Sequence, residues 1–559
     1  MTAVAPEPPP TSTASLLQSP LFWLGALALL VGAVVYYPLF FSDDIGTVVA
    51  QGEQFFFRVN DGAGAPVLVL SLWLFYRRSH LRDVLYANGA PKLAALTLTL
   101  TAALFGWGVF TTAADLQLAS VIGLLAGVAL LFGGTSAIRA YWLPILFLGF
   151  ALPISPVLIA ATIFPIQLVT AEFSGLILNG VGVDSLINGD QILRPAGRFI
   201  VVETCSGLRT IVTLSMLTIL LIDLFERRGW HAAILMVLVP IVAFAVNVLR
   251  VVTLVLNPHS DIHSIHNLQG ILMLLVGLTL IYFIDGWLAR GLGSRDPESV
   301  DADYGPREVE VTSRTSRALS LGGIVLVLFA MLAMDQFMPR WPAEGGLEET
   351  PQQLMARVFG EDPMAPYAVD YNFMGSVQYL AHARHGVGVA GNRVEVHLGV
   401  ANERLRQHSI LSKRLAWPAT GFDPIEEEFV ELDSNGPPMR RMLFRRGATS
   451  VLSYSTILRR ESLGSEWFRK AAALDRSPIA RPGHLLALRL STRLGHAGLA
   501  DAEARIDRVW KRLAPELEDY ARLSPRGSPN DPALASPASQ TLSTLEENFF
   551  HSVARIDKK

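Results

Sequence analysis

The chain has 559 residues, 51% of them hydrophobic and 17% charged, with a mean hydropathy of +0.38 and a formal charge of −3. Soluble domains carry about 25% charged residues, so a wholly soluble protein is excluded, and the absence of a basic stripe with interleaved aromatics argues against a nucleic-acid partner. A single cysteine rules out an intrachain disulfide framework.

Residues 1–19 lack Lys and Arg and are rich in Pro, Ser and Thr, a poor start for a cleaved signal peptide. They are expected to be a flexible tail, and the first apolar run, Pro20–Phe41, a retained span. A polar stretch with Asp43, Asp44 and Glu53 separates it from a short run, Ala65–Tyr76. Arg77, Arg78, Arg82 and Lys92 fill the next loop. The runs Leu93–Phe110 and Leu116–Phe132 follow, parted by a polar break at Asp115. Arg139 precedes a proline-punctuated run, Tyr141–Phe164. Residues 165–178 read as a helix lying at the membrane interface, and 181–203 as turns with short extended pieces. Three further runs, Ser206–Leu224, His231–Leu256 and Leu268–Leu288, complete a membrane domain over 20–289, and the linker 290–317 leads to a last run, Ala318–Met338.

Apolar runs of about 20 residues match the thickness of a bilayer. With about nine spans counted, the Arg/Lys-rich loops alternate, and the positive-inside rule puts 77–92, Arg139, Arg227–Arg228 and 290–317 in the cytoplasm. The loop 165–205, the loop 257–267 and everything after Met338 then face outward. Beyond Met338 the composition is that of a soluble domain, 339–523. The segment 392–400 alternates like a strand, and 427–458 reads as strands joined by a turn at SNGPP. HLLALRLSTRL (484–494) and DAEARIDRVWKRLAPEL (501–517) read as amphipathic helices, and 524–559 as a disordered tail. The fold class expected is mainly α: a polytopic transmembrane helical bundle of about 8–9 spans with a C-terminal soluble α+β domain.

Three polar features interrupt the apolar pattern. The first is VVETCSGLRT (201–210), which places Cys205 where a polar segment becomes a span. Free amides and the helix dipole at such a place favour a thiolate, the nucleophilic form. Arg209, four residues on, adds positive charge. The plainer reading is a small buried hydrophobe.

The second is Arg250, about two turns before the end of its span, with Asn247 three residues earlier on the same face. An arginine at membrane depth needs a partner or a wet cavity, unless it snorkels to the interface. The third is the loop HSDIHSIHNLQG, whose His259, His263 and His266 are spaced by four and three. That spacing permits a metal site, but no second cluster of ligands accompanies it, so no metal and no cofactor are assigned. Cys205, Arg250 and His266 lie at about one depth on consecutive spans. A Cys–His pair with a cationic neighbour is what thioester-forming acyl transfer requires.

At FALPISP, ETCSGLR, NVLR and HNLQG the sequence resembles the exosortases, membrane cysteine transpeptidases related to the archaeosortases. The resemblance covers residues 140–285 best. It implies Cys205 as nucleophile, Arg250 as stabiliser of thiolate or oxyanion, and His266 as general acid/base, with Arg209, Asn247 and His263 secondary. Asn267 stands where an acidic neighbour of the histidine is expected. The implied substrates are exported proteins ending in a Pro-Glu-Pro-type motif, a transmembrane helix and a basic cluster. They would be cleaved at that motif and passed to an unknown surface acceptor, in the inner membrane of an exopolysaccharide-making envelope. The C-terminal domain resembles the extracytoplasmic domains that some members carry fused. Two other readings stay open: a non-catalytic transporter or export component with Arg250 and Asn247 lining a path, and a metalloenzyme built on the histidine loop.

Overall fold

The computed structural model describes residues 20–41, 64–86, 89–152, 155–195, 197–202, 206–227, 229–257, 263–292, 314–341, 347, 349–361, 379–389, 391–401, 411–419, 421–432, 436–459, 461–479 and 483–520. The expected tails 1–19 and 524–559, most of the linker, Ser434 and Asn435 of the expected turn, and His259 lie outside them. The described chain forms two compact units, one from residues 1–153 and 296–342 and the other from 154–295 and 343–559.

The first unit is helical. It holds α1 (Pro20–Phe41), α2 (Gly64–Arg77), α3 (Pro91–Phe110), α4 (Ala114–Phe147) and α9 (Arg314–Phe337). Its core joins Val31, Val35 and Leu39 of α1 to Phe105 of α3 and to Leu328 and Met331 of α9. One expectation fails here. Arg139 does not sit in a loop between two spans, because it lies inside α4. The chain changes direction at Gly134 instead, with φ 61° and ψ −150°, a combination only glycine adopts without strain. The run Tyr141–Phe164 is accordingly not one span: α4 ends at Phe147, a 3-10 turn covers Leu148–Ala151, and the next helix starts at Pro156. Proline at the first helical position suits that restart, since its missing N–H would be unpaired anyway.

The second unit contains the site. Its α5 (Pro156–Gly180) is longer than the interfacial helix expected, and absorbs the end of the preceding run. A three-stranded antiparallel sheet follows, β1 (Leu186–Asn188), β2 (Gln191–Arg194) and β3 (Gly197–Ile200), where short extended pieces were read. Then come α6 (Leu208–Leu224), α7 (Gly229–Leu256) and α8 (His263–Leu292), packed together through Leu214, Leu235, Val239, Ala243, Val246 and Ile281. Among the described residues seven helices are long and apolar enough to cross a membrane, with two shorter apolar ones at Pro66–Arg77 and Thr210–Leu224.

The rest of this unit is a sheet-and-helix domain. It comprises α10 (Pro351–Phe359), β4 (Tyr379–Val387), β5 (Val394–Ala401), β6 (Asp423–Val430), β7 (Met439–Arg446), β8 (Thr449–Leu458), α11 (Leu463–Ala471), β9 (Leu486–Arg493) and α12 (Gly498–Tyr520). The six strands pair antiparallel in the order β4-β5-β9-β8-β7-β6. Val396, Leu398, Leu452, Leu488 and Leu490 pack against Ile506, Trp510 and Leu513 of α12. HLLALRLSTRL is therefore not a helix: it is β9, near the centre of the sheet. Leu486, Leu488 and Leu490 alternate with Ala487, Arg489 and Ser491, and all six are buried. The alternation is the strand period, which a helical reading of the leucine spacing passes over; burial of both faces is what the fold adds.

Candidate functional site

The chain enters the site through the small sheet. The Val201 amide donates to the Asp190 carbonyl at 2.9 Å, and the Val201 carbonyl accepts from Gln167 Nε2 of α5 at 2.9 Å. Arg194 Nη1 of β2 donates to the Val255 carbonyl in the last turn of α7, satisfying one of the carbonyls a helix end leaves open. Ala171, Ile192, Val201, Val251 and Val255 form one apolar cluster beneath these bonds. Residues 203–205, and Cys205 with them, lie outside the described residues.

The chain resumes at Ser206, which is buried and whose hydroxyl accepts weakly from the Leu208 amide at 3.5 Å. Gly207 caps α6 at φ +87°, and the Ile211 amide bonds its carbonyl at 3.0 Å. A methyl group on Gly207 would stand 2.7 Å from Cγ and 2.9 Å from Cβ of Asn247. Only glycine meets both demands, the left-handed backbone and the contact with α7. Asn247, 1% exposed, thus lies directly against the residue two positions after Cys205.

Arg250 follows three positions later on the same face of α7. It is half-buried, and its guanidinium runs along α8 at Gly270, with Nη2 3.6 Å and Cζ 3.7 Å from where a Gly270 β-carbon would stand. Position 266 is one turn before Gly270 on that face of α8. The two helices are also joined by Gln269 Nε2 donating to Thr253 Oγ1, while Thr253 Oγ1 donates to the Arg250 carbonyl at 2.9 Å. The three histidines were spaced as if helical, and α8 begins at His263, so His263 and His266 do share its first turns. The side chains of Arg209, His263 and His266 lie outside the described residues. Among the described residues no three His, Cys, Asp or Glu side chains gather as metal ligands.

Of the expected residues, then, the structure brings Asn247 to the N-terminus of α6 and Arg250 to the His266 face of α8. Residue-type reasoning missed Gly207 and Gly270, the two glycines that admit these side chains. Their signal was present in ETCSGLR and HNLQG, a glycine two positions after the cysteine and four after the histidine.

The soluble domain is seated on this same apparatus. Arg414 Nη2 pairs with Asp190 Oδ2 at 2.6 Å, both side chains being 3% exposed. Asp190 Oδ1 takes the Gly421 amide at 3.4 Å, and the Gly189 amide donates to Asp423. The Arg414 guanidinium lies 4.9 Å over the Phe164 ring of α5, which meets Trp417 edge-on at 4.7 Å. Burial raises the Asp423 carboxyl above the usual range, against the pull of the Gly189 amide. The domain therefore holds the turn between β1 and β2, whose Asp190 carbonyl fixes Val201.

Residues 59–283 match the family of transmembrane exosortases. The match takes in Cys205, Gly207, Asn247, Arg250, His266 and Gly270 and stops short of the soluble domain. No curated protein and no solved structure matches the chain.

Proposed function

We propose, from the exosortase likeness of residues 59–283, that the chain is a membrane cysteine peptidase and transpeptidase acting on exported proteins. The observation that carries this reading is the convergence of α6, α7 and α8: Asn247 against Gly207, and Arg250 against Gly270. Cys205 stands two residues before the α6 cap, where amides with no helical partner favour a thiolate. His266 accepts the thiol proton, and the resulting thiolate attacks the scissile carbonyl. Arg250, a guanidinium that stays charged away from water, stabilises the tetrahedral oxyanion. His266 then protonates the leaving amine, and a thioester to Cys205 remains. An acceptor nucleophile, deprotonated by His266, breaks that thioester and frees the thiol.

The substrate in this reading ends in a Pro-Glu-Pro-type motif, a transmembrane helix and a basic cluster. Cleavage takes place at the outer face of the inner membrane, and the acyl group passes to a surface acceptor of an exopolysaccharide-producing cell. The test is Cys205→Ala in cells expressing such a substrate. Processing should stop while the membrane level of the protein is unchanged. Continued cleavage would refute the reading.

A further inference from the structure

Helix α11 (Leu463–Ala471) is inside out for a water-soluble domain. Its N-terminus is ordinary, with the Ser462 hydroxyl accepting from the Ser465 amide at 3.2 Å. Its sides are not. The charged residues turn inward: Glu466 is 1% and Lys470 8% exposed, and Lys470 Nζ reaches Asp475 Oδ2 at 3.2 Å. The apolar residues turn outward, with Leu463, Trp467 and Phe468 at 41%, 44% and 59% exposed. Ile479, whose carbonyl accepts from Arg469 Nη1 at 3.4 Å, adds a fourth at 62%. A helix facing water puts its apolar stripe toward the core, and a contiguous exposed patch of this kind marks a surface with a partner.

We propose that this partner is the bilayer, and that α11 is a foot by which the soluble domain rests in the lipid headgroup region. Three observations select lipid over a protein. First, α11 packs on α5, a helix long and apolar enough to cross a membrane. Second, α5 itself exposes Phe173 and Leu176, as a lipid-facing helix does, so α11 is packed on a helix that presents large apolar side chains outward. Third, the patch is Trp, Phe, Leu and Ile beside Arg469, whose side chain is bonded back to Glu461 at 2.8 Å. With Arg469 neutralised inside the domain, what the patch presents is aromatic and aliphatic, the composition of the apolar face of an interfacial helix. The domain thereby has two attachments, the buried Asp190–Arg414 seat and the membrane itself. This inference does not depend on the catalytic reading.

The lone cysteine makes the test direct. In the full chain carrying Cys205→Ala, reconstituted in phospholipid nanodiscs, a nitroxide is placed by Trp467→Cys, Phe468→Cys or Ile479→Cys. Lys511→Cys, at a side chain 69% exposed on α12, is the control. Collision with oxygen, which concentrates in lipid, is compared with collision with a water-soluble nickel chelate. At 467, 468 and 479 oxygen should dominate, and at 511 the chelate. A label at 468 and 479 as open to the chelate as at 511 would overturn the proposal, because the patch would be in water. Exclusion of both reagents would overturn it equally, because a protein surface would cover the patch. Position 479, outside the helix, keeps the test valid should a substitution within α11 unfold it.

Discussion

Replacing Arg414 by methionine tests whether the soluble domain holds the chain that leads into Cys205. The substitution keeps much of the volume and removes the charge. Asp190 would then be left 2% exposed with one long hydrogen bond, from the Gly421 amide at 3.4 Å. Removing one partner of a buried ion pair costs about 3–5 kcal/mol, and the stacking of Arg414 on Phe164 at 4.9 Å adds about 0.5–2 kcal/mol. At ~1.4 kcal/mol per tenfold, the combined cost of about 3.5–7 kcal/mol should favour opening of the seat by about 2.5 to 5 orders of magnitude. Hydrogen exchange at the Val201 amide, which is bonded to the Asp190 carbonyl, reads this directly. Alkylation of Cys205, the one thiol in the chain, reads its consequence four residues on. The double variant Asp190→Asn/Arg414→Met should recover most of the loss, because no orphaned charge remains. Exchange at Val201 within about twofold of wild type in Arg414→Met would refute the reasoning.

Gly207→Ala should lower the thermal midpoint, since φ +87° costs a β-carbon about 1–2 kcal/mol before any clash. Asn247→Ala should not rescue it, because the Asn247 β-carbon already stands 2.9 Å from the added methyl; full rescue would contradict the packing. Gly270→Ala, with its methyl at an ordinary 3.6 Å from Arg250, should keep processing near wild type, and Gly270→Leu should cut it by about tenfold or more by displacing the guanidinium. Arg250→Lys should lose most processing in substrate-cleavage assays, since a point charge does not replace a fork. In the soluble domain, burial first and then Arg489, His382 and Arg384 hold the His397 imidazole well below the usual range, and burial lowers His382 too. A histidine depressed in the folded state contributes stability above its unfolded pKa near 6.5 and loses it as pH falls below that value. The midpoint of unfolding should therefore drop between pH 7.5 and about 5.5, and drop less in His397→Leu; equal slopes would assign the effect elsewhere. Burial acts on Glu395 in the opposite sense, raising its carboxyl, and limits the effect at the acid end.

Much of the membrane portion was legible because one physical constraint dominates it. A helix crossing lipid needs an apolar run of fixed length, so α1, α3, α7 and α8 were found within a few residues of their ends. The failures fell where that constraint is silent. No hydropathy scale distinguishes a turn at Gly134 from one at Arg139, because the turn depends on a backbone angle. In HLLALRLSTRL the alternation over Leu486–Ser491 does carry the strand period, but no local signal shows that Arg489 and Ser491 are buried along with the leucines.

The candidate site divides along the same line. The amino-acid sequence alone determined which residue types stand at the ends of α6, α7 and α8, and hence the expectation that a thiol, a guanidinium and an imidazole fall at one level. Their chemistry is a property of single residues at single positions. Which side chain meets which helix was decided only by tertiary structure. Asn247 reaches Gly207 and Arg250 reaches Gly270 because α7 runs between α6 and α8, a matter of packing. The joint of Asp190 with Arg414 spans 224 positions in the chain. Neither residue has a local signature, since an aspartate in a turn and an arginine in a loop are ordinary until folding buries both together.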